Sequence, residues 1–282
     1  MTTLYIEPFS GLSGDMLLSA FCALADYYDE IAKLPEQLHL SDGKVEISNA
    51  NKNGIVCKHV RIIDLNEEAE GRHHHGDQES LHDHHDASPP HPSPLTPHSH
   101  DHHHGHRHLK QILEIIENGQ ISDNAKQIAK DIFMIIGKSE AKIHNMDLEK
   151  IHFHEVSAVD SILDIVGCAV LIDLLQVEKT YSEPICTGFG LVHTQHGFLP
   201  VPAPATADIL MNMPTYPGEE KGERVTPTGA AILKYLNPEF STPVISRTKI
   251  AYGPGQKDFV GPNVVRVSIL EDVKKKSQPS QH

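Results

Sequence analysis

Leu4-Tyr5-Ile6-Glu7-Pro8-Phe9-Ser10-Gly11-Leu12-Ser13-Gly14-Asp15-Met16 is the stretch on which the reading of the fold turns. Leu4-Tyr5-Ile6 has the composition of a short strand, a Gly/Ser turn follows, and from about Asp15 to Tyr28 the chain reads as an apolar helix. Outward from this strand–turn–helix unit the alternation continues. Strand-like runs occupy Lys44–Ile47 and Gly54–Asp64. Helices are expected near Leu109–Glu117 and over Asp123–His144, where Ile128, Ile132, Ile135 and Ile136 recur at helical spacing. A short strand at Lys150–Phe153 leads to a long apolar helix, Val156–Gln176, and strand signals return at Ile185–His193, Thr242–Tyr252 and Val264–Leu270. Pro202-Ala203-Pro204 and Thr226-Pro227-Thr228-Gly229 read as helix starts, since proline suits the first helical turn. The expected class is α/β or α+β, a mixed sheet with helices.

A sharp change of composition interrupts this pattern. Residues Arg72–His108 hold 14 histidines and five prolines among 37 residues, and their only aliphatics are Leu81, Ala87 and Leu95. Such a segment buries too little apolar surface to offset the entropy of ordering. The expected organisation is an N-terminal α/β part (1–71), a disordered His-rich linker (72–108) and a C-terminal α/β part (109–282) with a frayed tail from about 272.

The chain has 282 residues, one large or two ordinary domains, and a formal net charge of −14. That charge argues against a nucleic-acid backbone as partner. No apolar run reaches the roughly 18 residues of a membrane span, and the N-terminus lacks the features of a signal peptide. Cys22, Cys57, Cys168 and Cys186 are scattered, as expected for reduced, mostly buried thiols in a cytoplasmic protein.

Imidazole suits Ni, Zn, Cu and Fe, so the runs His73-His74-His75 and His102-His103-His104 offer a flexible metal-collecting segment; low-complexity drift is the bland alternative. Ser10–Asp15 presents glycines and a helix start, where free N–H groups attract anions. Gly11, Ser13 and Gly14 are therefore candidates for a phosphate, although Asp15 would repel one unless a metal bridged them, and an ordinary turn accounts for the same residues. His152-Phe153-His154-Glu155 precedes the long helix. Asp160 has a capping explanation with Ser157, whereas Asp164, one turn further along the same face, is costly to bury unless paired or on a metal. His152, His154, Glu155, Asp160 and Asp164 are thus candidate ligands, with a salt-bridged helix as the alternative. His193 and His196 form a weaker imidazole pair. Thr226, Thr228 and Gly229 make a second candidate anion site, and Lys257, in the expected flexible turn Gly253–Lys257, could meet a phosphate.

Taken together, Phe9–Met16, His152–Gly167, His196–Thr206, Val225–Ala231 and the closing Ala251-Tyr252-Gly253-Pro254-Gly255 with Pro262–Arg266 resemble the LarC family, the nickel insertion proteins of lactate racemase maturation. The resemblance runs in family order along the whole chain. It implies a nickel chelatase of the lyase class that places Ni(II) between two sulfurs and a ring carbon of pyridinium-3,5-bisthiocarboxylic acid mononucleotide, giving the nickel-pincer nucleotide. It further implies CTP, bound with Mn(II) or Mg(II) by a C-terminal domain that has no counterpart before residue 282, and the lactate racemase apoprotein as recipient. Making a metal–carbon bond means removing a ring proton, so a base is needed: His154 or Glu155. Asp15, His152, His154, Glu155, Asp160, Asp164, His193 and His196 are the expected ligands, and the Gly11–Asp15 and Thr226–Gly229 starts would hold the phosphate. A homo-oligomer is left open. A non-catalytic nickel store would bind metal without the mononucleotide, and a metal-dependent phosphoester hydrolase would release phosphate without nickel.

Overall fold

The computed structural model describes residues 2–66, 107–151, 153, 156, 158–194, 196–241 and 246–271. The fold is mixed α/β. β1 (Thr2–Glu7) lies in a four-stranded sheet of order β11-β12-β1-β4, formed with β4 (Val177–Ser182), β11 (Ser246–Pro254) and β12 (Val264–Glu271). β1 pairs parallel with β4 and antiparallel with β12. Chain from both sides of the His-rich segment therefore shares one sheet.

α1 (Gly14–Ala25) packs on β11 and β12. Ten of its twelve residues are buried, which is why its sequence is apolar all round and lacks a single stripe. Against its other side lie α6 (Val159–Leu174), with twelve of sixteen residues buried, and a ribbon of β2 (Gly43–Lys52) and β3 (Ile55–Asp64). The ribbon turns at Asn53-Gly54, both at positive φ, as a tight right-twisted hairpin requires. Short helices α2 (Tyr28–Ala32) and α3 (Leu34–Gln37) connect α1 to the ribbon.

α4 (Leu109–Asn118) and α5 (Asp123–His144) follow. α5 begins at Ser122, whose hydroxyl accepts from Ala125 N at 3.0 Å, and stops at Asn145 in the left-handed region. Of the face read from the sequence, Ile128, Ile132 and Ile136 are buried and Ile135 is half-buried, with Phe133 completing the buried side; each buried side chain contributes about 1.5–3 kcal/mol. The remaining elements are α7 (Pro204–Ile209), α8 (Pro227–Leu236), a hairpin of β7 (Leu191–Thr194) and β8 (Gly197–Pro200), and the two-residue strands β5 (Ile185–Cys186), β6 (Gly188–Phe189), β9 (Thr215–Tyr216) and β10 (Gly222–Glu223).

Several expectations change. Of the expected strand Lys150–Phe153, the described residues Lys150, Ile151 and Phe153 are not in a strand, Lys150 ending a 3-10 turn, Leu148–Lys150. Ile151 and Phe153 are buried, with the Phe153 ring 6.4 Å from that of Phe133; their alternation anchors a loop and imitates a strand. α6 starts at Val159 with Ala158 at its cap, so capping does not explain Asp160, and Ser157 lies outside the described residues. Ile185–His193 splits into three short strands at Gly188 and Gly190, both at positive φ. β4, with Val177, Thr180 and Tyr181, was missed. The Gly253–Lys257 turn is also revised: Gly253 and Pro254 end β11. Residues 67–106, most of the expected linker, and the tail from 272 lie outside the described residues, as do 242–245 of the expected Thr242–Tyr252 strand.

Gly253 is pressed against α1, where a Cβ would fall inside the contact distance of Met16 O. Both partners are backbone, so neither yields cheaply. Gly253→Ala is expected to cost at least about 1–3 kcal/mol, read as a lowered midpoint in urea unfolding with the slope unchanged.

Candidate functional site

The site is built where two chain segments run side by side. Leu12 N donates to Arg224 O (2.8 Å) and Thr226 N donates to Leu12 O (3.0 Å), a parallel bridge between Leu12 and Val225. This places the starts of α1 and α8 together. Thr226 caps α8, its hydroxyl accepting from Gly229 N at 3.3 Å, and Thr226 and Thr228 share a 2.8 Å hydroxyl contact. Such close approach needs glycine: a Cβ on Gly229 would lie 2.5 Å from Leu12 O, and one on Gly14 would lie 2.8 Å from Asp164 Oδ2 and 3.1 Å from Thr228 Oγ1. Gly11, at φ +112, faces the Arg224 backbone in the same way. Gly11 and Gly229 are thus fitted to backbone packing, and Gly14 to the side chains of Asp164 and Thr228.

The carboxylate that meets these helix starts is Asp164 on α6. It is buried, and its Oδ1 has no hydrogen-bond partner. Its carboxyl is pushed well above the usual carboxylate range, first by burial, then by Asp15 and Asp160. Asp160, one turn earlier, is also raised, chiefly by burial, with Asp64 and Asp15 adding to the effect; Ser161 N donates to it at 2.6 Å. Asp15, in the first turn of α1, accepts from Ser13 Oγ and from Met16 N (2.9 Å). His59 on β3, not singled out in the sequence, points its Nε2 at Asp15 Oδ2, 3.5 Å away, and that nitrogen has no hydrogen bond. Cys168, one turn beyond Asp164, is buried, with its thiol pushed well up.

One imidazole nitrogen and three mutually repelling carboxylates in a desolvated space call for positive charge. A divalent cation meets that need and suits the donor set. Among the described residues, no three His, Cys, Asp or Glu side chains converge closely enough to hold an ion by themselves. His152, His154 and Glu155, and the histidines at 73–75 and 102–104, lie outside the described residues.

The other sequence candidates are placed apart. His193 pairs across the β7–β8 hairpin with Phe198, the rings edge to face with centroids 5.1 Å apart. His196, in the hairpin turn, lies 5.0 Å from the ring of His144 at the end of α5. Lys257 is exposed, 3.7 Å from Glu223. A second cation missed in the sequence is Arg224: it is buried, its Nη1 donates to Ser10 Oγ at 2.9 Å, and its guanidinium stacks 3.6 Å from the Phe259 ring. Its place beside a Gly/Ser turn was not legible, because the contact spans 214 residues. Cys22, Cys168 and Cys186 are buried free thiols. Among the described residues no helix is long and apolar enough to cross a membrane.

The family model described as "Nickel insertion protein" matches residues 4–282. A putative nickel insertion protein of Dictyoglomus thermophilum is 39% identical over 276 residues, 96% of this chain and 61% of the relative. Relatives named pyridinium-3,5-bisthiocarboxylic acid mononucleotide nickel insertion protein occur in Alkaliphilus metalliredigens, 40% identical over 95% of this chain and 60% of the relative, and in Clostridium kluyveri, 39% identical over 100% and 65%. The chain therefore spans about 60–65% of the length of these relatives. No solved structure matches it.

A carboxyl with a raised folded pKa favours the fold when protonated. Its stability contribution is full below the ordinary value of 3.8 and is lost as pH rises through the folded value. Asp164→Asn should therefore raise Tm relative to the native chain at neutral and alkaline pH, with the gap closing as pH falls towards 4. Differential scanning calorimetry across pH in chelator reads this; a pH-independent gap would mean that the Asp164 carboxyl titrates alike in the folded and the unfolded chain.

Proposed function

The chain belongs to the nickel insertion protein family, and from that premise we propose that it places Ni(II) into pyridinium-3,5-bisthiocarboxylic acid mononucleotide, forming the nickel-pincer nucleotide. Support for the substrate comes from the names of relatives that match this chain over 95–100% of its own length. The observation that carries the local chemistry is the unpartnered Oδ1 of Asp164, buried and within electrostatic reach of Asp15, whose own Oδ2 lies 3.5 Å from the unpartnered Nε2 of His59. Nickel is a substrate here. Asp15, His59, Asp160 and Asp164 offer it oxygen and nitrogen, donors weak enough to surrender a borderline ion to sulfur.

In the insertion step the ring C–H bond breaks, a nickel–carbon bond forms, and the proton passes to a base. His154 and Glu155, six and five residues ahead of Asp160 in the sequence, are assigned that role on their chemistry. The mononucleotide phosphate is assigned to the paired starts at Ser13, Thr226 and Thr228. With Asp15 and Asp164 there, it is held through a bridging cation and not by bare N–H groups. CTP with Mn(II) or Mg(II), a lactate racemase apoprotein as recipient, and the length of the relatives not spanned by this chain complete the proposed reaction. The His-rich segment collects the ion.

Purified chain is incubated with Ni(II) and the mononucleotide, with and without CTP and the remaining length of a relative, and the nickel product is read by mass. Glu155→Gln or His154→Ala, whichever is the base, should lower the insertion rate about 10²–10⁴-fold with unchanged circular dichroism. Phosphate release in place of a nickel product would make the chain a hydrolase, and nickel binding with no product in any arm would make it a store. Deleting residues 72–106 should remove most of the bound nickel by metal analysis and leave Tm within a few degrees.

A further inference from the structure

A second group of metal-binding side chains lies outside the Asp15–Asp164 site. His144 occupies the last turn of α5, and His196 occupies the exposed turn of the β7–β8 hairpin. The sequence pairs His196 with His193; the fold instead brings it to His144, 52 residues earlier in the chain, with ring centroids 5.0 Å apart and planes at 42°. We propose that His144 and His196 form a second nickel-binding site, a docking point from which the ion passes to the mononucleotide. This rests on the nickel reading above and extends it to named ligands.

Three observations support the assignment. The first is spacing. A metal about 2.0–2.1 Å from one nitrogen of each imidazole puts the ring centroids roughly 4.5 Å apart at a right ligand angle and about 5.2 Å apart at the tetrahedral angle. The observed 5.0 Å falls between these limits. The second is orientation. Glu140 Oε2 lies 3.3 Å from His144 Nε2, so a carboxylate engages and orients this imidazole, as acidic partners of metal-bound histidines commonly do. The end of α5 adds a partial negative charge that favours a cation.

The third is location. Both rings border a cavity of about 260 Å³ whose wall is otherwise largely apolar, with Ile143, Leu199, Ala203 and Pro227. Pro227 opens α8, and its neighbour Thr228 faces Gly14 beside Asp164. The first turn of α8 is thus common to both sites. A flat pyridinium ring fits such a cavity in chemistry and size. Two imidazoles hold the ion with borderline nitrogen donors, which an entering sulfur can displace, as a transfer site needs.

The test uses the full chain and reads each histidine separately, so that the His-rich segment does not mask the pair. Histidine carbethoxylation with peptide mass mapping is followed as Ni(II) is titrated; exchange of the imidazole C2 proton provides the same reading for a ring that reacts slowly. His144 and His196 should become protected together, with one midpoint, and Mg(II) should protect neither. His196→Ala should leave His144 unprotected at the same nickel concentration. Glu140→Gln should raise the midpoint about 10–100-fold with circular dichroism unchanged. Protection of His144 that persists in His196→Ala, or protection confined to residues 73–106, overturns this site and leaves the nickel reading standing. Absence of nickel protection at every histidine overturns both.

Discussion

Two backbone hydrogen bonds, from Leu12 N to Arg224 O and from Thr226 N to Leu12 O, fix the geometry on which the site depends. They join segments more than 200 residues apart and bring two helix starts to one place. Fixing residues so distant costs chain entropy, and the surrounding packing offsets it: Leu12, Val225, Leu17, Leu18 and Ile232 are all completely buried. Gly11, Gly14 and Gly229 make the approach possible because a side chain at any of them would strike the neighbouring segment. The glycines that resemble a phosphate cradle in the sequence therefore act first as the hinge faces of a packed joint. The helix starts they bring together then surround a carboxylate of the chain itself.

That carboxylate explains the polarity of the site. Asp164 projects from one of the most apolar helices of the chain, and burying its charge alone is strongly unfavourable. Its neighbours Asp15 and Asp160 raise the cost, while two helix N-termini lower it only in part. Evolution-free physics leaves two stable states, a protonated acid or a carboxylate facing a cation. The buried Nε2 of His59 without a hydrogen bond poses the same choice: such a group is a cost to the fold alone and a ligand when an ion arrives.

Much of this was legible in the sequence, and the limits have physical causes. α5 runs over Asp123–His144 as its isoleucine spacing predicts, and the strand–turn–helix at Leu4–Met16 is present, because periodicity and turn chemistry are local. Asp164 stood out because a carboxylate in an apolar run is anomalous wherever it occurs. His59 did not, since it lies in a strand that alternates with lysine and arginine and reads as an ordinary exposed face. The Lys150–Phe153 strand failed because alternation reports burial on one side and not the presence of a partner strand. His144 was hidden for a further reason: it ends a helix in the company of Glu140 and Lys142, a setting that a solvated helix terminus reproduces. Only the hairpin that carries His196 past it reveals the pair.

The two candidate metal sites differ in chemistry in a way that gives direction to the proposed transfer. The His144–His196 pair offers imidazole nitrogen at a cavity edge, where an ion can keep part of its water. Asp164 and Asp15, the latter with His59 beside it, are enclosed carboxyl groups, so an ion entering there loses water and gains charge neutralisation. Neither contains a thiolate: Cys168 lies next to the second group, but burial and the adjacent carboxylates hold its thiol in the protonated form. A protein thiolate there would compete with the sulfurs of the substrate for a borderline metal. Keeping sulfur on the substrate side alone makes each ligand exchange run from weaker to stronger donors, so that insertion follows from the order in which the donors are met.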